Sequence, residues 1–296
     1  MLLYKYRGSQ NEEDFERDFF SIEKNYFWAA SSEKLNDPCE TMTNSDKFIK
    51  QTGFISKLMG VKSEKDLNFL HENYRNVLSF DKKMGIYSLS QNYNDELLWA
   101  HYGNSHRGFC IEYDFNRLIE SYSLNNAYNF QVKYNDKITE IGVSDAVLNK
   151  NNRLIMKMSG YKSKRWEYEN EYRIITNNFG EHHYYYNAVK SIYFGLRISD
   201  FHKTEIMNRL KGRGIKYYQI EQIKNTYKFE KSAIEDINGN EITYLNQIPE
   251  ATTNDRIVKY GILKYKMNSI GKIGEIEIEL ERKITEIELN WLAELF

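Results

Sequence analysis

Cysteine is scarce in this chain. Its two residues, Cys39 and Cys110, cannot build a disulfide framework and point to a reducing compartment, with the cytoplasm as the expectation. Proline is as rare, at Pro38 and Pro249 only, and no repeat or low-complexity segment is present. Long apolar runs are missing too. No stretch approaches the roughly 18 residues of a membrane span, and the opening MLLYKYRGSQ has no apolar run after a basic segment, so neither a span nor a signal peptide is expected. A dominant charge is also lacking. The 41 basic and 42 acidic residues give a net charge of −1, so no global field draws the chain to nucleic acid or an anionic membrane.

Familiar catalytic and nucleotide-binding signatures are absent as well. There is no G-x-G-x-x-G after a strand, no G-x-x-x-x-G-K-[ST], no H-E-x-x-H and no paired C-x-x-C. G-x-S-x-G is missing, which argues against an α/β-hydrolase.

What remains is a chain of 296 residues rich in aromatics, 15% of it, with 24 tyrosines. That length suits one core with a small appendage. LLYKYR reads as a strand, and NEEDFERDFFSIEKN as a helix with Phe15, Phe19, Phe20 and Ile22 at helical spacing. YFWAAS is β-prone and ends in a turn at Asn36, Asp37 and Pro38. Residues 44 to 80 read as helices, with Phe48, Ile49, Phe54, Ile55, Leu58 and Met59 on one face and Leu67, Leu70, Tyr74 and Leu78 on another. GIYSLS is a strand, NDELLWAHYG a helix closed by Gly103, and GFCIEYDF a strand of strong β-propensity. NFQVKY precedes a helix over 144 to 159. HHYYYN and AVKSIYFGLRI read as strands, DFHKTEIMNRLKGRG as a helix and IKYYQIEQI as a strand.

From about residue 225 the texture changes. Asn238 and Gly239 signal a hairpin, RIVKYGILKYKMN and GEIEIELERK are further strands, and ITEIELNWLAELF is an amphipathic helix. The expectation is an α+β core over 1 to 224, a mixed, largely antiparallel central sheet flanked by helices, with a small β-rich extension over 225 to 296 that ends in a helix.

WEYENEYRIIT, residues 166 to 176, carries the chemistry of greatest interest. Read as a strand, it places Glu167, Glu169 and Glu171 on one face, where like charges repel. Two readings stand beside each other: an acidic solvated edge, or a catalytic carboxylate at the mouth of a cleft. Glu275, Glu277, Glu279 and Glu281 repeat the spacing and read as a solvated face, so spacing alone does not choose.

Other candidates lie along the chain. Tyr4, Tyr6 and Arg7 end the first strand, where Gly8 permits close approach of a ligand and the guanidinium fork of Arg7 suits a phosphate or ribose. Ser31 and Ser32 follow the second strand, as cap residues or substrate contacts. Asn36, Asp37 and Glu40 are metal-capable donors, although a turn accounts for them equally. His101 and Tyr102 are expected to line a cleft while Trp99 packs in the core. His101 and His106, five apart with Gly103 between them, do not stack as metal ligands on one helix face. Arg107, Glu112 and Asp114 complete that polar stretch.

The runs LYKYR, EKLNDPCE, GIYSLS, LLWAHYGNSHRGFCIEYDF, WEYENEYRII and VKSIYFGLRIS resemble a bacterial family known only as a domain of unknown function, over residues 4 to about 222. In the order of its elements the chain also resembles the ADP-ribosyltransferase superfamily. Members of that superfamily share a first strand bearing Arg or His, a middle strand bearing Ser, Thr or Tyr, and a later strand beginning with Glu. That resemblance implies NAD as substrate, Glu171 as the catalytic carboxylate with Glu169 orienting an acceptor, and Arg7 or Tyr6 at the phosphate or ribose. It further places Ser31 or Ser32 in the middle element and Tyr102, with His101, at the nicotinamide. A Ser-Thr-Ser triplet is not evident, which leaves the middle element open.

The implied function is an NAD-dependent ADP-ribosyltransferase or NAD glycohydrolase, an intracellular toxin or phage-defence effector with a nucleic-acid or protein acceptor and no membrane role. A regulatory partner is expected for the C-terminal extension. The alternatives are a noncatalytic nucleotide sensor or partner-binding module, and a metal-dependent nuclease using His101, His106 and acidic residues.

Overall fold

The computed structural model describes residues 1–37, 39–58, 83–120, 124, 127–148, 153–235, 246–249, 260–267 and 273–279. The first elements are β1 (Leu2–Arg7), α1 (Glu12–Glu23), β2 (Tyr26–Ala29), β3 (Thr43–Asn44), α2 (Asp46–Leu58) and β4 (Gly85–Ser90). Next come α3 (Glu96–Tyr102), β5 (Phe109–Asp114), α4 (Phe115–Ile119), β6 (Tyr128–Gln131), β7 (Lys133–Asn135), β8 (Thr139–Glu140), α5 (Val143–Leu148) and α6 (Arg153–Ser159). The remainder are β9 (Tyr161–Ser163), β10 (Glu171–Thr176), β11 (Gly180–His183), β12 (Val189–Phe194), α7 (Asp200–Arg209), β13 (Lys216–Gln222), β14 (Phe229–Ile234), β15 (Asn246–Pro249), β16 (Tyr260–Met267) and β17 (Ile273–Glu279). The class is α+β with largely antiparallel sheet, as the sequence indicates. No described helix is long and apolar enough to cross a membrane.

Two compact units interleave along the chain: residues 1–26, 93–122 and 183–296 form one, and residues 27–92 and 123–182 the other. In the first, five strands run in the order β14-β13-β12-β5-β1. All neighbours are antiparallel except β12 and β13, which are parallel and joined through α7. GFCIEYDF and VKSIYF are β-prone and almost wholly buried, on both faces, with Ile111, Ile192 and Phe194 among the buried residues. Helix α1 starts at Asn11, whose side chain accepts from Asp14 N at 2.8 Å, and buries Phe15, Phe19 and Ile22 as its spacing requires. Arg209 of α7 ties to Glu16 and Glu23 of α1 at 2.8 and 2.7 Å and lies 4.2 Å over the Phe19 ring. β15, β16 and β17 form a separate antiparallel sheet.

In the second unit β10 lies between β4 and β6, antiparallel to both. Met84, Ile86, Ile155 and Ile175 form one apolar cluster, and Phe48, Ile141, Leu154 and Met158 another.

Several local expectations change. NFQVKY breaks into β6 and β7 because Val132 turns its N–H to the carbonyl of Glu171 at 2.9 Å. HHYYYN is strand only through His183; Tyr186–Ala188 is a 3-10 turn. Of the helix expected over 144 to 159, the described residues form α5 and α6, and 149 to 152 fall outside the described residues. Pro38, the helical pattern of Met59, Leu67, Leu70, Tyr74 and Leu78, the Asn238-Gly239 hairpin and the C-terminal helix fall outside the described residues. So do the side chains of Glu275, Glu277, Glu279 and Glu281.

Candidate functional site

The three glutamates do not share a strand face. Lys164–Glu169 coil into a 3-10 helix, and Asn170 adopts the left-handed conformation at φ 42 and ψ 52 before β10 begins at Glu171. Asparagine tolerates that region better than most residues. The reversal leaves Glu167 exposed and turns Glu169 and Glu171 inward, where they are 4% and 3% exposed. Like-charge repulsion, which made the strand reading costly, is removed by geometry and by two cations.

Those cations are Lys162 on β9 and Arg173 on β10. The Lys162 ammonium lies 2.8 Å from Glu40 Oε1, 2.7 Å from Glu169 Oε2 and 3.4 Å from Glu171 Oε2. It also sits 4.8 Å from the centre of the Trp166 ring. Arg173 is fully buried. Its Nε donates to Glu171 Oε1 at 2.7 Å and its Nη2 to Glu171 Oε2 at 3.1 Å. Nη2 also donates to Glu40 Oε2, and Nη1 to the Ser159 carbonyl at 2.7 Å. Glu40 reaches the cluster from a turn in which Asp37 accepts from Cys39 N and Glu40 N. Three carboxylates and two cations leave a net charge of −1.

Burial pushes the Glu171 carboxyl upward, but Arg173, then Lys162, then hydrogen bonds from Arg173 and Ser88 outweigh it and hold the group at about 2. Glu171 is therefore ionised at neutral pH. Lys162 is raised despite burial, by Glu171, Glu40 and Glu169 in that order. The Tyr134 hydroxyl, raised mainly by burial, accepts from Glu171 N at 2.8 Å.

The neighbouring strand supplies serines. Across the β4–β10 ladder Ser90 faces Glu171 and Ser88 faces Arg173. Ser90 Oγ donates to the Glu169 carbonyl at 2.7 Å, and Ser88 hydrogen-bonds the Glu171 side chain. Ser-Leu-Ser at 88 to 90, spelled in GIYSLS, is thus the serine-bearing element beside the glutamate strand. Ser31 and Ser32 are half-buried at the start of the short 3-10 helix Ser32–Lys34, and the Ser31 side chain makes no capping hydrogen bond.

Ser31, Ser32, Glu169 and Glu171 belong to the second unit; Tyr6, Arg7, His101 and Tyr102 belong to the first. Tyr6 is buried edge-on to Trp99, ring centres 5.0 Å apart. Arg7 Nη1 lies 3.5 Å from Asp18 Oδ1. His101 is exposed and meets Tyr102 edge-on at 6.3 Å. Gly8 is approached by its own chain: a Cβ there would lie 2.6 Å from the Tyr102 carbonyl oxygen. His106 stacks on Trp99 at 6.0 Å. Among the described residues no group of three or more His, Cys, Asp and Glu is placed to hold a metal.

Sequence reasoning missed Lys162, Arg173, Ser88 and Ser90, and it valued Glu40 only as a metal donor. The available signal was Arg173 inside EYRIIT: an arginine at a buried strand position demands carboxylate partners.

The fold and this site define an α+β protein with a buried ion cluster at the head of a central strand. A family model described as "Protein of unknown function (DUF2971)" matches residues 98–174, which include Lys162, Glu169, Glu171 and Arg173. No curated protein and no solved structure matches the chain.

Proposed function

We propose that this chain consumes NAD, as an ADP-ribosyltransferase or an NAD glycohydrolase, with Glu171 as the catalytic carboxylate. One observation carries the reading. An ionised glutamate opens β10, is oriented by Arg173, and receives a hydrogen bond from Ser88 on the adjacent strand. A glutamate at the opening of a strand, with a serine-bearing strand beside it, supports the reading. Cleavage of the nicotinamide glycosidic bond leaves the electron pair on nicotinamide and positive charge on the ribose. A net-negative cluster stabilises that charge. Glu171 Oε2, 3.4 Å from the Lys162 ammonium and 3.1 Å from Arg173 Nη2, is the oxygen a ribose hydroxyl would engage. Water attacking the anomeric carbon gives hydrolysis. A protein or nucleic-acid nucleophile gives transfer, with Glu169 orienting it, and the fitting cellular setting is a toxin or phage-defence effector.

The test is free nicotinamide released from NAD, with and without candidate acceptors, for wild type and Glu171→Gln. Release by wild type and its loss in the variant support the reading. No release under any of these conditions defeats it. A second reading, nucleotide or partner binding without turnover, is favoured by the burial of Glu171 and by the pairing of all three carboxylates with cations. Binding of NAD with no nicotinamide release would establish it.

A further inference from the structure

Three glycines lie side by side where β1 ends, β5 begins and β12 ends. Arg7 pairs with Phe109, and Phe109 with Phe194, so Gly8, Gly108 and Gly195 occupy the next position on each strand. A Cβ at Gly108 would lie 1.9 Å from the Arg7 carbonyl oxygen, and one at Gly195 2.4 Å from that of His106. The bare row lets the turn after α3 lie directly on the strand ends. In that turn Asn104, Ser105 and His106 all hold positive φ, at 48, 51 and 68. Three consecutive non-glycine residues in the left-handed region are strained, and such strain concentrates at ligand clamps. Asn104 Nδ2 donates to the Ser9 carbonyl at 2.8 Å, and Arg197 N to the His106 carbonyl at 2.8 Å. The turn therefore fixes the backbones that carry Arg107 and Arg197.

Between this turn and the starts of α1 and α7 lies a cleft of about 410 Å³, within the size range of small-ligand sites. Arg107 and Arg197 both line it and both are exposed. Neither has a carboxylate within ion-pairing distance among the described residues, whereas Arg173 has two and Arg209 three. His202 lies flat on Phe15, ring centres 4.0 Å apart at 15°, and stays partly exposed at the cleft wall. Glu12, whose Oε2 is 3.3 Å from His202 Nε2, is the one acidic side chain among the lining residues.

We infer that this cleft binds a nucleoside phosphate, with Arg107 and Arg197 gripping phosphoryl oxygens and the His202 ring offering a stacking face to the base. Two planar guanidinium forks without protein carboxylates suit a multiply charged oxyanion. The site stands apart from the NAD reading of Glu171, and its test measures binding rather than turnover.

The experiment is calorimetric titration of the full chain with ADP, with pyrophosphate and adenosine as separate probes. ADP is expected to bind saturably and more weakly as salt rises. Arg107→Ala and Arg197→Ala should each weaken binding about tenfold, and the double variant should abolish it. Both side chains are exposed, so the variants are expected to fold, which circular dichroism checks. Glu12→Gln, which removes the opposing charge, should tighten binding. Absence of ADP and pyrophosphate binding at about 1 mM, or equal affinity in the double variant, overturns the site. Retained ADP binding in a Glu171→Gln protein that releases no nicotinamide separates this site from the catalytic proposal.

Discussion

Arg173 grips Glu171 from two residues along the same strand, with Nε 2.7 Å from Oε1 and Nη2 3.1 Å from Oε2. Successive same-face positions of β10 thus form a fork-to-carboxylate pair in a fully buried setting. Removing one member leaves the other charge buried without its partner, and that asymmetry sets the first expectation. Arg173→Met should destabilise the protein by about 3–5 kcal/mol, because Glu171 and Glu40 lose their shared cation. Urea denaturation of wild type and variant measures it.

Acid should unfold this unit through the same group. Glu171 is held at about 2, below its ordinary 4.5. A depressed carboxyl contributes stability that is complete above its unfolded value and is lost as pH falls toward the folded value. The window is therefore pH 4.5 down to about 2, and the loss is on the order of 3 kcal/mol. Denaturation midpoints recorded across that range should fall for wild type and flatten for Glu171→Gln.

A second polar cluster, in the other unit, makes a spectroscopic prediction. Glu112 accepts from Tyr4 OH at 3.1 Å, Tyr193 OH at 2.5 Å and Ser191 Oγ at 2.9 Å. Burial first, then Glu112, raises the hydroxyls of Tyr4 and Tyr193 far above the ordinary tyrosine value. In an ultraviolet titration of the native protein these two tyrosines should stay protonated until alkaline unfolding. Ionisation of every tyrosine near pH 10 would contradict the arrangement.

Lys231 caps that cluster, with its ammonium 3.0 Å from Tyr193 OH and 5.1, 5.0 and 4.4 Å from the ring centres of Tyr93, Tyr193 and Tyr218. Lys231→Met keeps the stem and removes the charge. The expected loss is about 1 kcal/mol, since the lysine is exposed and a cation over rings contributes on that scale. Thermal melts of the variant measure it.

Asn170 is the hinge between the 3-10 helix and β10. Asn170→Gly should be nearly neutral, whereas Asn170→Val should destabilise by about 1–2 kcal/mol, because a β-branched residue resists φ 42. Comparing the two in one melt series isolates the backbone effect.

The sequence by itself determined the class and most of the elements. The β-propensity of GFCIEYDF and VKSIYF and the helical spacing of Phe15, Phe19 and Ile22 depend on residues close in the chain, and β5, β12 and α1 appear where those stretches lie. The same rule misread WEYENE as strand, because alternation says nothing of the single left-handed residue at Asn170 that breaks it. The ion cluster was decided by tertiary structure. Glu40 and Arg173 meet across 133 positions of chain, and Lys162 arrives on a different strand. No local period records a pairing made through space. A buried arginine announces that carboxylates must come, since an unpaired charge is too costly to bury, but only the folded chain determines which ones do.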